Sequence, residues 1–92
     1  QMKYKVIFTG KALKETKKLS KTGRKSDVRK LEQILEELKI HPTTGTGNPE
    51  QLKHQLAGYW SRRINKKDRL VYEIIDNGDK KVILISALGL YL

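Results

Sequence analysis

Cysteine is absent from the 92 residues, so disulfides and thiolate metal sites are excluded. Histidine is nearly as scarce: His41 and His54, thirteen positions apart, are a poor basis for a zinc site, and no metal or other cofactor is expected. Long apolar runs are missing too. The longest, Val82 to Ile85, falls far short of the roughly 20 residues that span a bilayer, and no secretory h-region precedes the first charged residues. These absences together point to a metal-free protein of a reducing, cytoplasmic compartment with no membrane partner. Acidic residues are the last shortage: ten Asp and Glu face twenty Lys and Arg, a formal charge of +10. A field of that sign favours a polyanion such as nucleic acid, and the rival reading of a basic helix on a membrane surface is weakened by the missing apolar run.

The length allows one modest core, so residues 1–92 are expected to form a single domain. Tyr4, Val6 and Phe8 alternate with lysines as in a strand, after which Thr9 can cap a helix running to about Leu19. Val28, Leu31, Ile34, Leu35 and Leu38 recur at three and four residues, which predicts a second helix with Ser26 as its N-cap and Pro42 beyond its end. His41 to Pro49 reads HPTTGTGNP, a loop of turn formers. Beyond it Leu52, His54 and Leu56 alternate as a strand with His54 on the core side, and Ala57-Gly58 marks a turn or bulge. Tyr59 to Ile64 and Arg69 to Ile75 make a hairpin over Asn65–Asp68; Asp76-Asn77-Gly78-Asp79 turns into a last strand, Lys81 to Ala87, apolar enough for a central place. The expected fold is α+β: an N-terminal strand, then two helices packed on one face of a mostly antiparallel twisted sheet of about four to five strands.

The other face of that sheet holds the candidate chemistry. Strands lie about 4.8 Å apart, so side chains from three of them can converge on a phosphate-sized volume. Alternation puts Arg69 opposite Leu70, Arg63 opposite Ile64 and Lys53 opposite Leu52, so all three cations face away from the helices, near Glu50 at the entrance of a strand. Arg62 shares parity with Trp60 and Ile64 and joins them only if Gly58 introduces a bulge; on that footing it is counted among the phosphate-binding candidates. On residues alone the set is either a solvated basic face that grips phosphates or a nuclease centre with Glu50 as proton acceptor.

The block GNPEQLKHQLAGYWSRRINKKDRLVYEI, residues 47–74, closely resembles the central signature of the YoeB (Txe/YoeB) toxins within the RelE/ParE superfamily. The resemblance covers about a third of the chain, and it implies the toxin of a type II toxin-antitoxin system. Such toxins are ribosome-dependent mRNA endonucleases that cut the message at the decoding site, held inactive by a cognate antitoxin. The mRNA on the ribosome, an antitoxin and a second copy of the chain are therefore the expected partners. The family's catalytic glutamate falls at Glu50, its phosphate-binding lysine and arginine at Lys53 and Arg63, its transition-state arginine at Arg69 and its terminal tyrosine at Tyr91.

Such a reaction needs no metal, because RNA carries its own nucleophile in the 2′-hydroxyl. Glu50 would remove that proton, Arg69 with Arg63 and Lys53 would stabilise charge growing on the phosphoryl oxygens, and an acid would protonate the departing 5′-oxygen. At the acid this sequence departs from the family, whose usual ending resembles Lys-Gly-His-Tyr; here Leu88-Gly89-Leu90-Tyr91 stands instead. Leucine at 90 has no proton to donate and leucine at 88 cannot hold a phosphate. A phenol titrating near pH 10 makes Tyr91 a weak substitute acid, equally suited to stacking on a base. His54, pointing toward the core, is read as structural. The departure implies an attenuated nuclease or, alternatively, a relative that binds ribosome or antitoxin without cutting; a ParE-like gyrase inhibitor shares the architecture but not the Glu50, Arg63 and Arg69 set. Restoring the imidazole tests this: Leu90→His is expected to raise message cleavage on programmed ribosomes by about 10²-fold or more, and an unchanged rate would contradict the role given to that position.

Overall fold

The computed structural model describes residues 3–89. Strand β1 is Lys5–Phe8, helix α1 Gly10–Thr22, helix α2 Lys25–Leu38, and strands β2 to β5 are Glu50–Gln51, Tyr59–Arg63, Arg69–Asp76 and Lys80–Ser86. They form one five-stranded sheet in the order β1-β5-β4-β3-β2, parallel between β1 and β5 and antiparallel elsewhere. The expected α+β arrangement is therefore present, with the two helices filling the crossover between β1 and the meander. Among the described residues no helix is long and apolar enough to cross a membrane.

Thr9 caps α1 as its position suggests: its hydroxyl accepts from the Ala12 amide at 3.2 Å and donates to the Leu84 carbonyl at 2.8 Å, tying the helix start to β5. Ala12, Thr16 and Leu19 line the buried side of α1, and Leu31, Ile34 and Leu38 that of α2. Both stripes meet Leu70, Tyr72, Val82 and Leu84, which share one face of the sheet. Helix α2 begins one residue before Ser26, at Lys25, with Arg24 at the cap and no side chain capping it. The acid of its first turn, Asp27, is engaged instead by Asn65 of the β3–β4 turn at 3.0 Å.

The expected strand through Leu56 does not form. β2 is two residues long, His54 takes a positive φ of 59°, and His54–Leu56 closes a 3-10 turn, because the chain must reverse at once to bring Tyr59 alongside Leu52. Leu52 stays buried, but His54 is exposed rather than turned to the core. Nor does Gly58 introduce a bulge: β3 runs in unbroken register with β4 from Tyr59 opposite Glu73 to Arg63 opposite Arg69, and the irregularity lies between Val71 and Tyr72.

Unbroken register corrects the expectation for Arg62. It stays on the helix side, wholly buried, and cannot meet a phosphate. All five guanidinium N–H groups have acceptors: Nε reaches the Tyr72 hydroxyl at 3.2 Å, Nη1 the Glu37 carboxylate at 2.7 Å and the Thr46 carbonyl at 3.3 Å, and Nη2 the carbonyls of His41 and Thr44 at 2.7 and 2.8 Å. The Tyr72 hydroxyl passes its own proton to the Pro42 carbonyl at 2.7 Å. The turn-forming loop is thus folded around one cation. Gly45 and Gly47, with φ of 120° and 89°, make this approach possible, since a Cβ would collide with the Glu37 carboxylate at the first and come 2.8 Å from the Arg63 carbonyl at the second.

Burial alone would raise the Glu37 carboxyl, but hydrogen bonds from Thr46, Arg62 and Gln33 outweigh it and hold the group below its ordinary 4.5. A depressed folded-state value gives stability that is present above 4.5 and is lost as pH falls through that depressed value. Urea unfolding should accordingly show Arg62→Ala destabilised by about 3–5 kcal/mol at neutral pH. Glu37→Gln should be less stable at neutral pH while losing less on acidification than the parent; parallel acid profiles for the two would contradict the assignment.

Candidate active site

One strand, β3, separates Glu50 on β2 from Arg69 on β4, and the residue it presents between them decides whether they meet. Ser61 pairs with Glu50 on one side and with Val71 on the other, while Arg63 pairs with Arg69. A long side chain on β4 must therefore cross β3 over position 61 to reach β2. Ser61 is small and fully buried, and Arg69 passes over it: Nη1 lies 3.4 Å from the Ser61 hydroxyl and donates to Glu50 Oε1 at 2.8 Å. Only 12% of the Arg69 side chain is exposed against 46% for Glu50, so a solution ligand meets the carboxylate first, with the guanidinium behind it. Ion pairs this exposed contribute little to stability; what this one fixes is orientation.

Around the pair, Arg63 falls where alternation put it, whereas Lys53 lies past the end of the short β2 rather than on a strand. Arg63 is exposed on β3 beside Arg69. Lys53 is exposed just past β2 and, together with Glu50, Leu52 and His54, lines a depression of about 380 Å³. The structure thus places Glu50, Arg63 and Arg69 on the sheet face away from the helices and Lys53 at its rim, and withdraws Arg62 from the set. Tyr91, like Leu90, lies outside the described residues. The last described residue meets the start of β4, where the Gly89 carbonyl accepts from the Arg69 amide at 2.9 Å. Leu88 packs against the core.

Two contributors escaped the reading of the sequence. Ser61 carries no charge, yet its parity with Arg63 and its place in a strand of large residues were visible signals of a crossing point. Glu37 gave none, because only the folded loop brings it to Arg62 across 25 positions. Chemically, the arrangement supplies a carboxylate able to take a proton, with a fixed guanidinium less than 3 Å away to hold an anionic oxygen and further cations at the margin. Among the described residues no three His, Asp or Glu side chains gather into a metal-binding group.

Comparison with known proteins bears on the family and the fold. The family described as "YoeB-like toxin of bacterial type II toxin-antitoxin system" matches residues 8–91. The chain is 45% identical over 60 residues to Toxin YoeB of Escherichia coli O6:H1 (strain CFT073), covering 65% of this chain and 67% of that one. It is 33% identical over 90 residues to the mRNA interferase toxin RelE of Escherichia coli K12, covering 96% and 83%. Among solved structures it is similar to a YoeB/ParE toxin from Agrobacterium tumefaciens, with a TM-score of 0.84 and 31% identity over 95% of this chain and 99% of that one. It is likewise similar to the toxin in a YoeB-YefM complex from Staphylococcus aureus, with a TM-score of 0.77 and 32% identity over 96% and 98%.

The two arginines of β3 should separate cleanly in solution. Arg63→Ala and Lys53→Ala are each expected to lower the salt slope of single-stranded RNA binding by about 0.7 with no loss of stability, as read by fluorescence anisotropy and thermal melting. Arg62→Gln, assayed while still folded, should lose stability and keep the slope; a reduced slope there would return Arg62 to the binding set.

Proposed function

Because the chain belongs to the YoeB-like toxins of bacterial type II toxin-antitoxin systems, we propose that it is a metal-independent endoribonuclease that cuts messenger RNA on the ribosome. The observation that carries this reading is the 2.8 Å contact from Arg69 to Glu50, which sets base and anion-binding group side by side. Glu50 takes the 2′-hydroxyl proton; the freed oxygen attacks the adjacent phosphorus; the bond to the 5′-oxygen breaks. A 2′,3′-cyclic phosphate and a 5′-hydroxyl result. Arg69 stabilises the charge that accumulates on the phosphoryl oxygens, and being already fixed by Ser61 and Glu50 it needs little reorganisation to do so. Arg63 and Lys53 hold flanking phosphates, a positioning role that carries no sequence information. The leaving oxygen receives its proton from Tyr91 or from water. Either is a poorer donor at neutral pH than an imidazole, so the reaction is slow for its class.

The named complex of the Staphylococcus aureus relative supports a second element, an antitoxin partner. A chain of formal charge +10 favours an acidic segment laid over the catalytic face, which would occupy the phosphate-binding cations and silence the toxin.

Primer extension on programmed ribosomes tests the nuclease. The parent protein should cut at the decoding site, Glu50→Gln should lower the rate by about 10²- to 10⁴-fold, and Arg69→Ala by about 10²- to 10³-fold. An intact message with ribosome binding retained would overturn cleavage in favour of a binding-only relative.

A further inference from the structure

Three consecutive amides near the end of the described chain are held by carboxylates from distant elements. Glu15 on α1 accepts from Ala87 at 2.8 Å and from Leu88 at 3.3 Å, both through Oε1, while its Oε2 pairs with Lys11. Asp68, immediately before β4, accepts from the Gly89 amide through Oδ1 at 2.8 Å. The contact is returned, since the Gly89 carbonyl accepts from Arg69, so that Asp68, Arg69 and Gly89 close a small ring. Asp68 is 4% exposed and is itself held: Asn65 Nδ2 bridges its Oδ2 to Asp27, both at 3.0 Å, and Asn65 Oδ1 accepts from the Asp68 amide at 2.7 Å.

The need for these carboxylates follows from the sheet. β5 ends at Ser86, and the pairing of β4 with β5 shifts between Val71 and Tyr72, so the sheet does not provide for residues 87–89. Amides beyond the end of a strand are ordinarily left to water unless side chains or loops take them up. Here Ala87 is fully buried, Leu88 packs on the core, and each amide receives a carboxylate acceptor, close for Ala87 and Gly89 and longer for Leu88. Burial pushes Glu15 up, but the amides of Ala87 and Leu88 and the Lys11 ammonium outweigh it and leave its carboxyl below the ordinary value. It therefore stays ionised as an acceptor at neutral pH.

We propose that Glu15 and Asp68 form a two-carboxylate clamp on Ala87–Gly89 and act as positioning residues for the Arg69 centre. They touch no RNA. They fix the path of the last described residues along the start of β4 and so hold the backbone from which the Arg69 guanidinium reaches over Ser61. The functional part of this rests on the nuclease reading; the clamp itself does not.

Two readouts on the whole protein keep these apart. Amide hydrogen exchange by NMR should accelerate by about tenfold or more at Ala87 and Leu88 in Glu15→Ala, and at Gly89 and Arg69 in Asp68→Ala, with the core amides of β4 and β5 unchanged. Glu15→Gln, which keeps an oxygen acceptor, should restore protection. In single-turnover cleavage both alanine variants should lose about 10- to 10²-fold in rate at saturation while half-saturation stays within about twofold, and Glu15→Gln should recover the rate. Unchanged exchange at residues 87–89 and 69 overturns the clamp, and faster exchange with an unaltered cleavage rate overturns its positioning role. Should Asp68→Ala fail to fold, the Glu15→Ala and Glu15→Gln pair decides. Should the parent protein cut no message, the nuclease reading fails, and exchange at Arg69 still decides whether the clamp holds that residue.

Discussion

A guanidinium with no water around it must give every N–H to an acceptor, and Arg62 does so with one hydroxyl, one carboxylate and three backbone carbonyls. Because those carbonyls belong to residues 41, 44 and 46, a stretch of turn formers with no apolar face of its own becomes a fixed loop. That loop delivers the chain to Glu50 at the sheet edge. The Gly47 carbonyl completes the seating by accepting from the Arg63 amide at 2.6 Å, one residue from the buried cation and on the strand that carries the exposed one. Neighbouring arginines of β3 thus divide the work: one organises the loop behind the sheet, the other faces solvent in front.

The same economy appears across the sheet. Arg69 can reach Glu50 only because β3 presents a serine where it crosses, and the pair contributes orientation far more than stability. The strands that carry Glu50 and Arg69 are braced from behind by carboxylates as well as by apolar packing: Glu37 on the loop side, and Glu15 and Asp68 beside residues 87–89. Of ten acidic residues, several are therefore committed to holding backbone in place, which leaves the open face strongly cationic.

Much of the fold was legible because its signals are local. Thr9 before an apolar stripe, the three-and-four spacing from Val28 to Leu38, and the Asp-Asn-Gly-Asp turn each act within a few residues. Errors fell where a neighbour in space overrode the local pattern. Leu52, His54 and Leu56 alternate like a strand, yet the chain turns at His54 because β3 must return beside β2. Ser26 is the better cap by residue type, yet the helix starts before it, with Asp27 drawn into the Asn65 and Asp68 cluster. Of the site, Arg63 and Arg69 could be assigned to one face by alternation alone, a property of extended chain that needs no tertiary information, whereas Lys53 lies past the end of β2 and Glu50 takes its place from pairing with Ser61.

By itself the sequence determined the net charge, the two helices, the alternation that sorts side chains between faces, and the loss of an imidazole at position 90, since each of these is carried by single residues or short periods. Only the tertiary structure decided that β1 pairs in parallel with β5, that Arg62 is buried while Arg63 is not, and that Glu15 and Asp68 grip residues 87–89. Those outcomes depend on contacts between residues 10 to 76 positions apart, and no local pattern encodes which distant acceptor a buried donor will find.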